Sequence, residues 1–466
     1  MANFIAVDLG ATSGRVAIGR VTSEKIELEI AHRFSHEIFE DKDGAILWDW
    51  KEITAQVLLG IQKCLAQGTP ISLAIDSWAV DYGLLDTQHN LISKVHSYRD
   101  PRTFAAFDEL VSQLGQERIY RDTGIQFLNF NTLYQLFAAK NDASYKAAST
   151  FLMIPDLLNA ELTGVISTEV TNASTTQLLD VKSRKWDYPL IELAGLRKDI
   201  FTQLHEPGAE IGFIKGFGAL DGIKVVATAS HDTASAVAGI PFGDRNTEAY
   251  ISSGTWSLVG IESELPVTSQ EALAANLTNE LGAANTVRIL KNVTGMWLLE
   301  ECRRTWRSEK EEWSIPQLVD EASRNLEFDS LIDPNDPRFR SAGEMPERID
   351  AYCVEKGITP PRTKGEFTIC ILRSLAAAYK KTIAEIEGVT NKKISTIHIL
   401  GGGSQISLLN QLTADACGVR VKTGPVESTL FGNIAVQALS AGAVPSLEAA
   451  RALIGKSFIS EEFTPN

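Results

Sequence analysis

The chain has 466 residues, of which 44% are hydrophobic and 22% are charged, and its formal net charge at pH 7 is −15. This composition is typical of a soluble globular protein, and the length favours two large domains over one. The acidic balance argues against a nucleic acid or an anionic membrane as partner, since either would require a basic face. Any bound phosphate must therefore be met by local N–H groups, a metal and a few cations.

The N-terminus and the cysteines predict a cytoplasmic protein. Met1-Ala2-Asn3-Phe4 has no basic region and Asp8 interrupts the apolar run, so a signal peptide is not expected. No uncharged apolar stretch reaches the ~18 residues of a membrane helix. The five cysteines are scattered without a CxxC motif, which argues against zinc and for a reducing compartment. Cys353 and Cys370 could pair, but two free thiols are the simpler interpretation.

The first half of the chain predicts a meander of three antiparallel strands at 4–8, 14–20 and 25–34. A helix is expected over 50–67, where apolar residues recur on one face, and two buried strands over 72–76 and 83–86. Helices dominate 104–162, with breaks expected at Gly124 and Pro155. A strand over 224–229 leads into a helix over 231–239.

The second half repeats this order after the turn-forming segment 239–243. Strands are expected at 248–252, 256–262 and 394–400, a loop at 333–337, and helices from Trp297, over 367–388, over 408–417 and from 432. The repetition predicts a duplicated α/β architecture with a cleft between the halves. We place the domains at 1–240 and 241–466.

Three strands run into turns of glycine and hydroxyl residues, at 10–14, 252–257 and 401–404. Such turns aim several backbone N–H groups at one anion, and glycine permits the φ values that make the N–H groups converge. Two hairpins of this kind and one glycine-rich platform predict phosphate hairpins that hold ATP.

Asp8 and Arg15 flank the first of these turns. A carboxylate at a strand end beside such a hairpin suits a magnesium–phosphate site, because Mg²⁺ takes one or two carboxylates plus water and phosphate oxygens. Arg15 has the donor fork that binds phosphate. The alternative interpretation is an ordinary β-hairpin with a capping aspartate.

The turn Ala229-Ser230-His231-Asp232-Thr233 joins a predicted strand to a predicted helix. Asp232 is a candidate general base that takes a proton from a substrate hydroxyl during phosphoryl transfer, with His231 and Thr233 orienting the substrate. The alternative is that Asp232 caps the helix.

Two further segments carry the residue types that bind polyols. Asp76, Trp78 and Asp81 lie at a strand end, although solvated carboxylates and a core tryptophan explain them equally well. Asn292 is a candidate for a sugar hydroxyl, or a cap for the helix at Trp297.

These motifs, in this order, resemble the FGGY family of carbohydrate kinases in the actin-like ATPase superfamily. The resemblance covers nearly the whole chain. The segments that carry it are 7–16, 124–136, 171–178, 229–237, 252–258 and 401–403. The segments at Gln126 and Thr171 separate the branch that acts on L-rhamnulose from glycerol and xylulose kinases. The fold implied is two actin-like (ribonuclease H-like) ATPase domains, with mixed sheets flanked by helices and a catalytic cleft between them.

The activity implied by the resemblance is phosphorylation of L-rhamnulose by ATP at the 1-hydroxyl, with Mg²⁺, in L-rhamnose breakdown. Asp8 would anchor the metal and Asp232 would be the proton acceptor. The nucleotide would contact Ala11, Thr12, Ser13, Gly14 and Arg15 through its phosphates, Thr255 through the triphosphate and Gly402 through adenosine. The sugar would contact His231, Asp232, Thr233 and Asn292. We expect a monomer or a weak homo-oligomer.

Two residues depart from the family pattern. Ala79 stands where a substrate-contacting glycine is usual, and Glu300 stands where a glutamine is expected to contact ATP. A backbone contact survives the first change, whereas a carboxylate cannot donate a hydrogen bond, so the second contact must change or be lost.

Three other functions stay open at this point. Another ketose kinase of the family, acting on L-fuculose or L-xylulose, would differ only in the sugar pocket. A chaperone-like ATPase would lack the Ser-His-Asp-Thr turn and would need a peptide-binding domain. A sugar-sensing repressor would need a DNA-binding segment before residue 4, where there is no room.

Overall fold

The computed structural model describes residues 2–308 and 312–466, which form two compact units. Unit 1 comprises Met1–Pro241, Glu262–Ile289 and Glu427–Ile459, and unit 2 comprises Phe242–Ile261, Leu290–Val426 and Ser460–Asn466. The first segment of unit 1 ends beside the expected boundary at 240/241, and the chain later returns to this unit twice. We propose that the boundary between the two functional domains lies between residues 240 and 241.

A six-stranded mixed sheet forms the centre of unit 1. Its strands, in spatial order, are Glu210–Phe213, Lys224–Val226, Ser72–Ser77, Ala2–Leu9, Ser13–Val21 and Ile26–Ser35. The last three form the expected antiparallel meander. Ser72–Ser77 pairs in parallel with both Ala2–Leu9 and Lys224–Val226, so three strands end at one edge of the sheet.

Side chains of the strand Ala2–Leu9 alternate between two apolar clusters, one on each face of the sheet. Ile5, Val7 and Leu9 pack into one apolar cluster together with the inner face of the helix Trp50–Leu65. Phe4 and Ala6 point the other way, into a second cluster with the helix Ser428–Ser440. Because successive side chains of a strand point to opposite faces, a strand buried on both sides has a nearly continuous apolar sequence.

The other elements of unit 1 are helices, 3₁₀ turns and pairs of short strands. The helices are Trp50–Leu65, Thr103–Leu114, Gln116–Thr123, Thr132–Ala139, Ala143–Ala147, Ile154–Thr163, Val170–Ala173, Tyr188–Leu193, Asp232–Ala238, Gln270–Ala274, Ser428–Ser440 and Leu447–Gly455. Single 3₁₀ turns lie at Ser174–Thr176, Gly218–Leu220 and Ala283–Asn285. The paired short strands are Ile38–Glu40 with Ile46–Trp48, Tyr82–Leu85 with Thr150–Met153, Thr168–Glu169 with Leu204–His205, and Leu179–Asp180 with Lys185–Trp186.

A second sheet has seven strands. Their spatial order is Thr278–Leu281, Val287–Thr294, Trp256–Ser263, Glu248–Ser253, Thr396–Leu400, Arg420–Thr423 and Glu462–Phe463. The last four lie wholly in unit 2. The helices of unit 2 are Trp297–Ser308, Ile315–Ser323, Met345–Lys356, Lys364–Thr390 and Ser407–Cys417, with 3₁₀ turns at Pro337–Phe339 and Gly402–Gln405.

Most predicted elements are confirmed within a few residues. Two expectations, at Pro155 and at 150–153, are wrong, and two alternatives that the sequence left open, at Asn292 and at the cysteines, are decided. Pro155 does not break a helix but occupies the first turn of Ile154–Thr163, where its missing N–H has no partner to lose. The strand Thr150–Met153 replaces expected helix. Asn292 lies within the strand Val287–Thr294, so it caps no helix. All five cysteines are free, so Cys353 and Cys370 do not pair.

None of the helices described here is both long enough and apolar enough to cross a membrane.

Candidate active site

Three carboxylates meet at the edge of the unit 1 sheet where its parallel strands end. Asp8 and Asp76 are direct partners in the parallel pairing of Ala2–Leu9 with Ser72–Ser77. The backbone N–H of Ser77 donates to the Ser230 carbonyl at 2.9 Å, which brings the turn before Asp232 to the same edge. In open α/β sheets, ligands bind in the crevice outside the carboxyl ends of the strands.

Burial raises the pKa values of all three carboxylates, and repulsion by neighbouring carboxylates adds to the rise for Asp8 and Asp76. Loss of solvation raises the pKa of Asp8 to about 7, opposed by Arg15 and reinforced by Asp232 and Glu427. The pKa of Asp76 lies well above its usual value, again chiefly through burial and then through Asp8. Burial also raises the pKa of Asp232, and His231 opposes it. A cation bound at this edge would stabilise the ionised carboxylates and so lower their pKa values again.

The residues present fit a magnesium ion. Oδ2 of Asp76 accepts a hydrogen bond from Asn433 at 2.6 Å, whereas its buried Oδ1 has no hydrogen-bond partner. In the described part of the chain, no group of three or more His, Cys, Asp or Glu side chains has the arrangement of a metal cage. Mg²⁺ needs no such cage, because water and phosphate oxygens complete its shell. Asp76, which the sequence suggested only as a polyol ligand, therefore joins Asp8 as a candidate metal ligand.

Arg15 is held between two carboxylates. Its Nη1 lies 3.1 Å from Oδ2 of Asp8 and its Nε lies 3.2 Å from Oε2 of Glu427. Glu427 also pairs with Arg33 at 2.7 Å. A phosphate that bound the Arg15 guanidinium would have to displace one of these carboxylates from it. Glu427 could not be found from the sequence, because the fold brings it to the hairpin from the far end of the chain.

The hairpin at 10–14 is held by hydrogen bonds within the turn and to His36, whose backbone N–H donates to the Thr12 carbonyl at 3.2 Å. The N–H of Gly10 donates to the Ser13 carbonyl at 3.0 Å, and Nε2 of His36 lies 2.8 Å from the Gly10 carbonyl. Ala11 and Ser13 are partly exposed and Thr12 is exposed, so a ligand can approach the tip of the hairpin. Gly14 is buried, and a Cβ there would lie 2.2 Å from the Phe34 ring.

The expectation that left-handed φ values shape all three glycine turns is wrong. Gly401 has a φ of 72°, but Gly10, Gly14 and Gly254 do not have positive φ. Close packing explains glycine at positions 14 and 403, but not at Gly10 or Gly254, where the atom nearest to a Cβ would lie at 3.4 and 3.9 Å. A Cβ on Gly403, for example, would lie 2.0 Å from Oγ of Ser253.

Asp232 opens the helix Asp232–Ala238 but does not cap it. The N-cap is His231, and Asp232 is the first helical residue. Oδ1 of Asp232 accepts hydrogen bonds from the N–H and the hydroxyl of Thr233, at 2.5 and 3.1 Å, and lies 3.3 Å from Nε2 of His231. Its side chain is 26% exposed, and Oδ2 makes no hydrogen bond to any described residue. One oxygen is therefore fixed and the other is open to a substrate hydroxyl.

The other side of the His231 ring faces a buried ion pair. Nη2 of Arg288 lies 3.0 Å from Nδ1 of His231 and 3.1 Å from Oε2 of Glu280. Arg288 is fully buried. Burial acts to raise the pKa of Glu280, but Arg288 and His231 outweigh it and lower that pKa. Sequence reasoning missed both residues, since neither lies in a recognisable motif.

Beside Ala79, both carboxylate oxygens of the buried Asp81 are engaged by groups of the protein itself. Asp81 accepts hydrogen bonds from the indoles of Trp48 and Trp78 at 2.7 and 3.0 Å, and from Gln135 at 2.9 Å. Val80 has a φ of 67°, a strained value for a β-branched residue. Ala79 is half-buried without positive φ, so the methyl group in place of the family glycine introduces no backbone strain.

In unit 2 the second hairpin is held by the start of the next helix. The N–H of Gly295 donates to the Thr255 carbonyl at 3.1 Å, and that of Met296 donates to the Gly254 carbonyl at 2.9 Å. Thr255 and Asn292 are half-buried, while Gly402 is exposed. Glu300 is also exposed, and its Oε2 pairs with Nη1 of Arg303 at 2.6 Å. The site residues predicted in unit 2 therefore lie on the second hairpin, the glycine platform, the strand before the helix and its first turn.

The two halves of the chain match the two domains that define one family of enzymes. Residues 3–239 match the N-terminal domain, and residues 249–441 the C-terminal domain, of the FGGY family of carbohydrate kinases. The chain belongs to this family, whose members use ATP as co-substrate. It is 41% identical to the rhamnulokinase of Halalkalibacterium halodurans over 97% of both chains. It is 42% identical to the rhamnulokinase of Pectobacterium carotovorum, over 99% of this chain and 93% of that one.

Solved structures confirm the fold. The ligand-bound xylulose kinase of Lactobacillus acidophilus superposes with a TM-score of 0.82 at 18% identity, covering 100% of this chain and 94% of that one. The glycerol kinase of Plasmodium falciparum with ADP gives a TM-score of 0.79 at 16% identity, with the same coverage. The predicted two-domain kinase fold is therefore confirmed.

Proposed function

We propose that this protein phosphorylates L-rhamnulose with ATP at the 1-hydroxyl and thereby serves L-rhamnose catabolism. The observation that carries this proposal is the 39–42% identity to rhamnulokinases over nearly the whole chain. The protein is then a phosphotransferase with an alcohol group as acceptor. We also propose a cytoplasmic location, and a monomer or a weak homo-oligomer.

The geometry around Asp232 supports its role as general base. Its pKa is raised by burial, which moves a carboxylate towards the basicity that proton abstraction near neutral pH requires. Oδ2 is free to accept the proton of the sugar hydroxyl while Oδ1 is held by Thr233. The deprotonating oxygen of the sugar attacks the γ-phosphorus, the bond from that phosphorus to the β–γ bridging oxygen breaks, and ADP leaves.

Binding roles divide between the units. In unit 1, Asp8 and Asp76 would hold Mg²⁺, which when bound neutralises charge on the transferred phosphoryl group. Residues 11–15 would contact the ATP phosphates there. In unit 2, Thr255 would contact the triphosphate and Gly402 the adenosine. Glu300 would lie near the nucleotide with its charge partly balanced by Arg303.

The sugar would contact His231, Asp232 and Thr233 from unit 1, and Asn292. Ala79 would offer its backbone, since the methyl group leaves the backbone conformation unstrained. Asp81 has no part in this set, because its oxygens hold two indoles and an amide.

A substrate panel tests the proposal. ADP release should be measured with L-rhamnulose, L-fuculose, L-xylulose and glycerol at matched concentrations, and the product position determined by ³¹P–¹H NMR. We expect the highest kcat/KM with L-rhamnulose and a phosphate on C1. A higher kcat/KM with L-fuculose or L-xylulose would assign another ketose to the same chemistry, and no turnover with any of the four would refute the proposal.

A further inference from the structure

The Arg288–Glu280 pair lies behind His231, on the side of the ring away from Asp232. A guanidinium N–H can only donate a hydrogen bond. With Nη2 of Arg288 at 3.0 Å, Nδ1 of His231 must therefore carry the lone pair and accept. The ring proton is then on Nε2, which lies 3.3 Å from Oδ1 of Asp232. The hydrogen bond on one ring nitrogen thus sets what the other ring nitrogen can do.

Glu280 is the competing partner of the same ring nitrogen. Its Oε2 lies 3.3 Å from Nδ1 of His231 but 3.1 Å from Nη2 of Arg288. A proton on Nδ1 would satisfy Glu280, yet it would point an N–H at the Arg288 guanidinium and leave Nε2 facing the Asp232 carboxylate with a lone pair. Both consequences are repulsive. Arg288 therefore decides between the two tautomers. Arg288 is itself held by hydrogen bonds from Nε and Nη2 to the Leu281 carbonyl, both at 3.3 Å, and by the ion pair with Glu280.

We propose that Arg288 is a positioning residue that locks His231 as the neutral Nε2–H tautomer, so that His231 donates to Oδ1 of Asp232 and leaves Oδ2 free for the substrate hydroxyl. Arg288 acts through His231 and does not touch the reacting atoms in this scheme. The catalytic consequence rests on the proposed function, since it requires Asp232 to be the base. The tautomer itself does not.

Burial explains why the pair is suited to this task. Arg288 is 0% exposed and Glu280 is 5% exposed, so water cannot replace either partner of the ring. Nη1 of Arg288 is buried without a hydrogen-bond partner, which is unfavourable for stability. A pair selected for stability alone would have a hydrogen-bond acceptor for every N–H donor. The Arg451–Glu262 pair comes closer to this arrangement, with two contacts of 3.0 Å between the side chains.

The test reads the tautomer directly. The protein is labelled with ¹⁵N-histidine, and two-bond ¹H–¹⁵N correlation spectra distinguish protonated from unprotonated ring nitrogens. His231→Asn identifies the His231 signals. We expect Nε2 protonated and Nδ1 unprotonated in the parent protein without any ligand. Protonation at Nδ1, or at both nitrogens, would overturn the proposal whatever the enzyme phosphorylates.

Three variants test the cause. Arg288→Met removes the donor and should move the ring proton to Nδ1, where Glu280 accepts it. Arg288→Lys keeps a donor and should retain the Nε2–H tautomer. Glu280→Gln should also retain it, because Arg288 still donates. The proposal would be overturned if the Nε2–H tautomer persisted in Arg288→Met. It would also be overturned if the tautomer changed in Glu280→Gln but not in Arg288→Met. If Arg288→Met does not fold, the parent spectrum and the other two variants still decide.

Kinetics separate positioning from a general loss of stability. For Arg288→Met we expect kcat to fall by about tenfold to 100-fold, below the ~10²–10⁴-fold worth of the base itself, with the ATP KM unchanged. Arg288→Lys should recover part of kcat. Arg451→Met removes an equally buried arginine from unit 1 and should lower the melting temperature without changing the His231 tautomer. An equal fall in kcat in Arg451→Met would reduce Arg288 to a structural role.

Discussion

Replacing Asp232 by asparagine is the sharpest test of the proposed chemistry. The carbonyl of an asparagine can take the position of Oδ1 and accept from the N–H and hydroxyl of Thr233, as the aspartate does at 2.5 and 3.1 Å. The amide NH₂ then occupies the position of Oδ2. It donates where the aspartate accepted, so the variant keeps the geometry and loses the proton acceptor.

The expected loss follows from that single change. General-base assistance contributes about 10²–10⁴-fold to a rate. At ~1.36 kcal/mol per tenfold, the barrier rises by about 3–5 kcal/mol. The KM for the sugar should change by less than tenfold, because the amide still hydrogen-bonds the hydroxyl. Stability should be unchanged or higher near neutral pH, since burial raises the pKa of Asp232 and so opposes its ionised form.

The assay is steady-state ADP release with L-rhamnulose, combined with thermal melting. Asp187→Asn is the matched control, because Asp187 does cap a helix in unit 1, accepting from the N–H of Leu190 at 3.0 Å. It should leave kcat unaffected and change the melting temperature little, because asparagine caps a helix about as well as aspartate. A kcat for Asp232→Asn within tenfold of the parent would refute the assignment. Asp76, whose Oδ1 has no partner, would then be the next candidate, ahead of Asp81.

Three further outcomes are expected. Asp8→Ala should remove most turnover and leave sugar binding measured by calorimetry nearly intact; weakened sugar binding with normal turnover would contradict the magnesium role. Glu300→Gln should lower the ATP KM without changing the sugar KM, by less than about fivefold (~1 kcal/mol), because Glu300 is exposed and Arg303 already balances part of its charge; an unchanged or higher ATP KM would show that Glu300 does not face the nucleotide. Asp156 is buried, its Oδ2 has no partner, and burial raises its pKa well above 3.8, so its ionisation lowers stability as pH rises from 3.8 through the raised value. Asp156→Asn should therefore melt at a higher temperature than the parent at pH 7 and at a similar temperature below pH 3.8, and a lower melting temperature at pH 7 would contradict this reasoning.

Local patterns were sufficient wherever the structure is local. The meander at the N-terminus, the helix Trp50–Leu65 and the glycine turns were predicted from alternation, helical spacing and turn residues, all of which act over a few positions. The same holds for the Ser-His-Asp-Thr turn. Short strands such as Thr150–Met153 were missed because their few apolar residues fit a helix equally well.

The surroundings of the candidate site were decided by the tertiary structure alone. Glu427 and Asn433 lie on one late segment of the chain and contact Arg15 and Asp76 near its beginning. Nothing in their local sequence distinguishes them from surface residues of a helix. Their contacts arise because Ser428–Ser440 packs on one face of the first sheet.

What the sequence determined by itself is the set of chemical groups: the aspartates at strand ends, the hairpins and the acidic turn at Asp232. Each depends on residue type and short-range spacing. What only the fold decided is the state of those groups, namely the raised pKa of Asp8, the engagement of Asp81 and the hydrogen bonds on His231. These depend on burial and on charges such as Arg288, which parallel strand pairing and helix packing bring together from distant positions. Electrostatic energies depend on separation in space, and separation along the chain does not predict it.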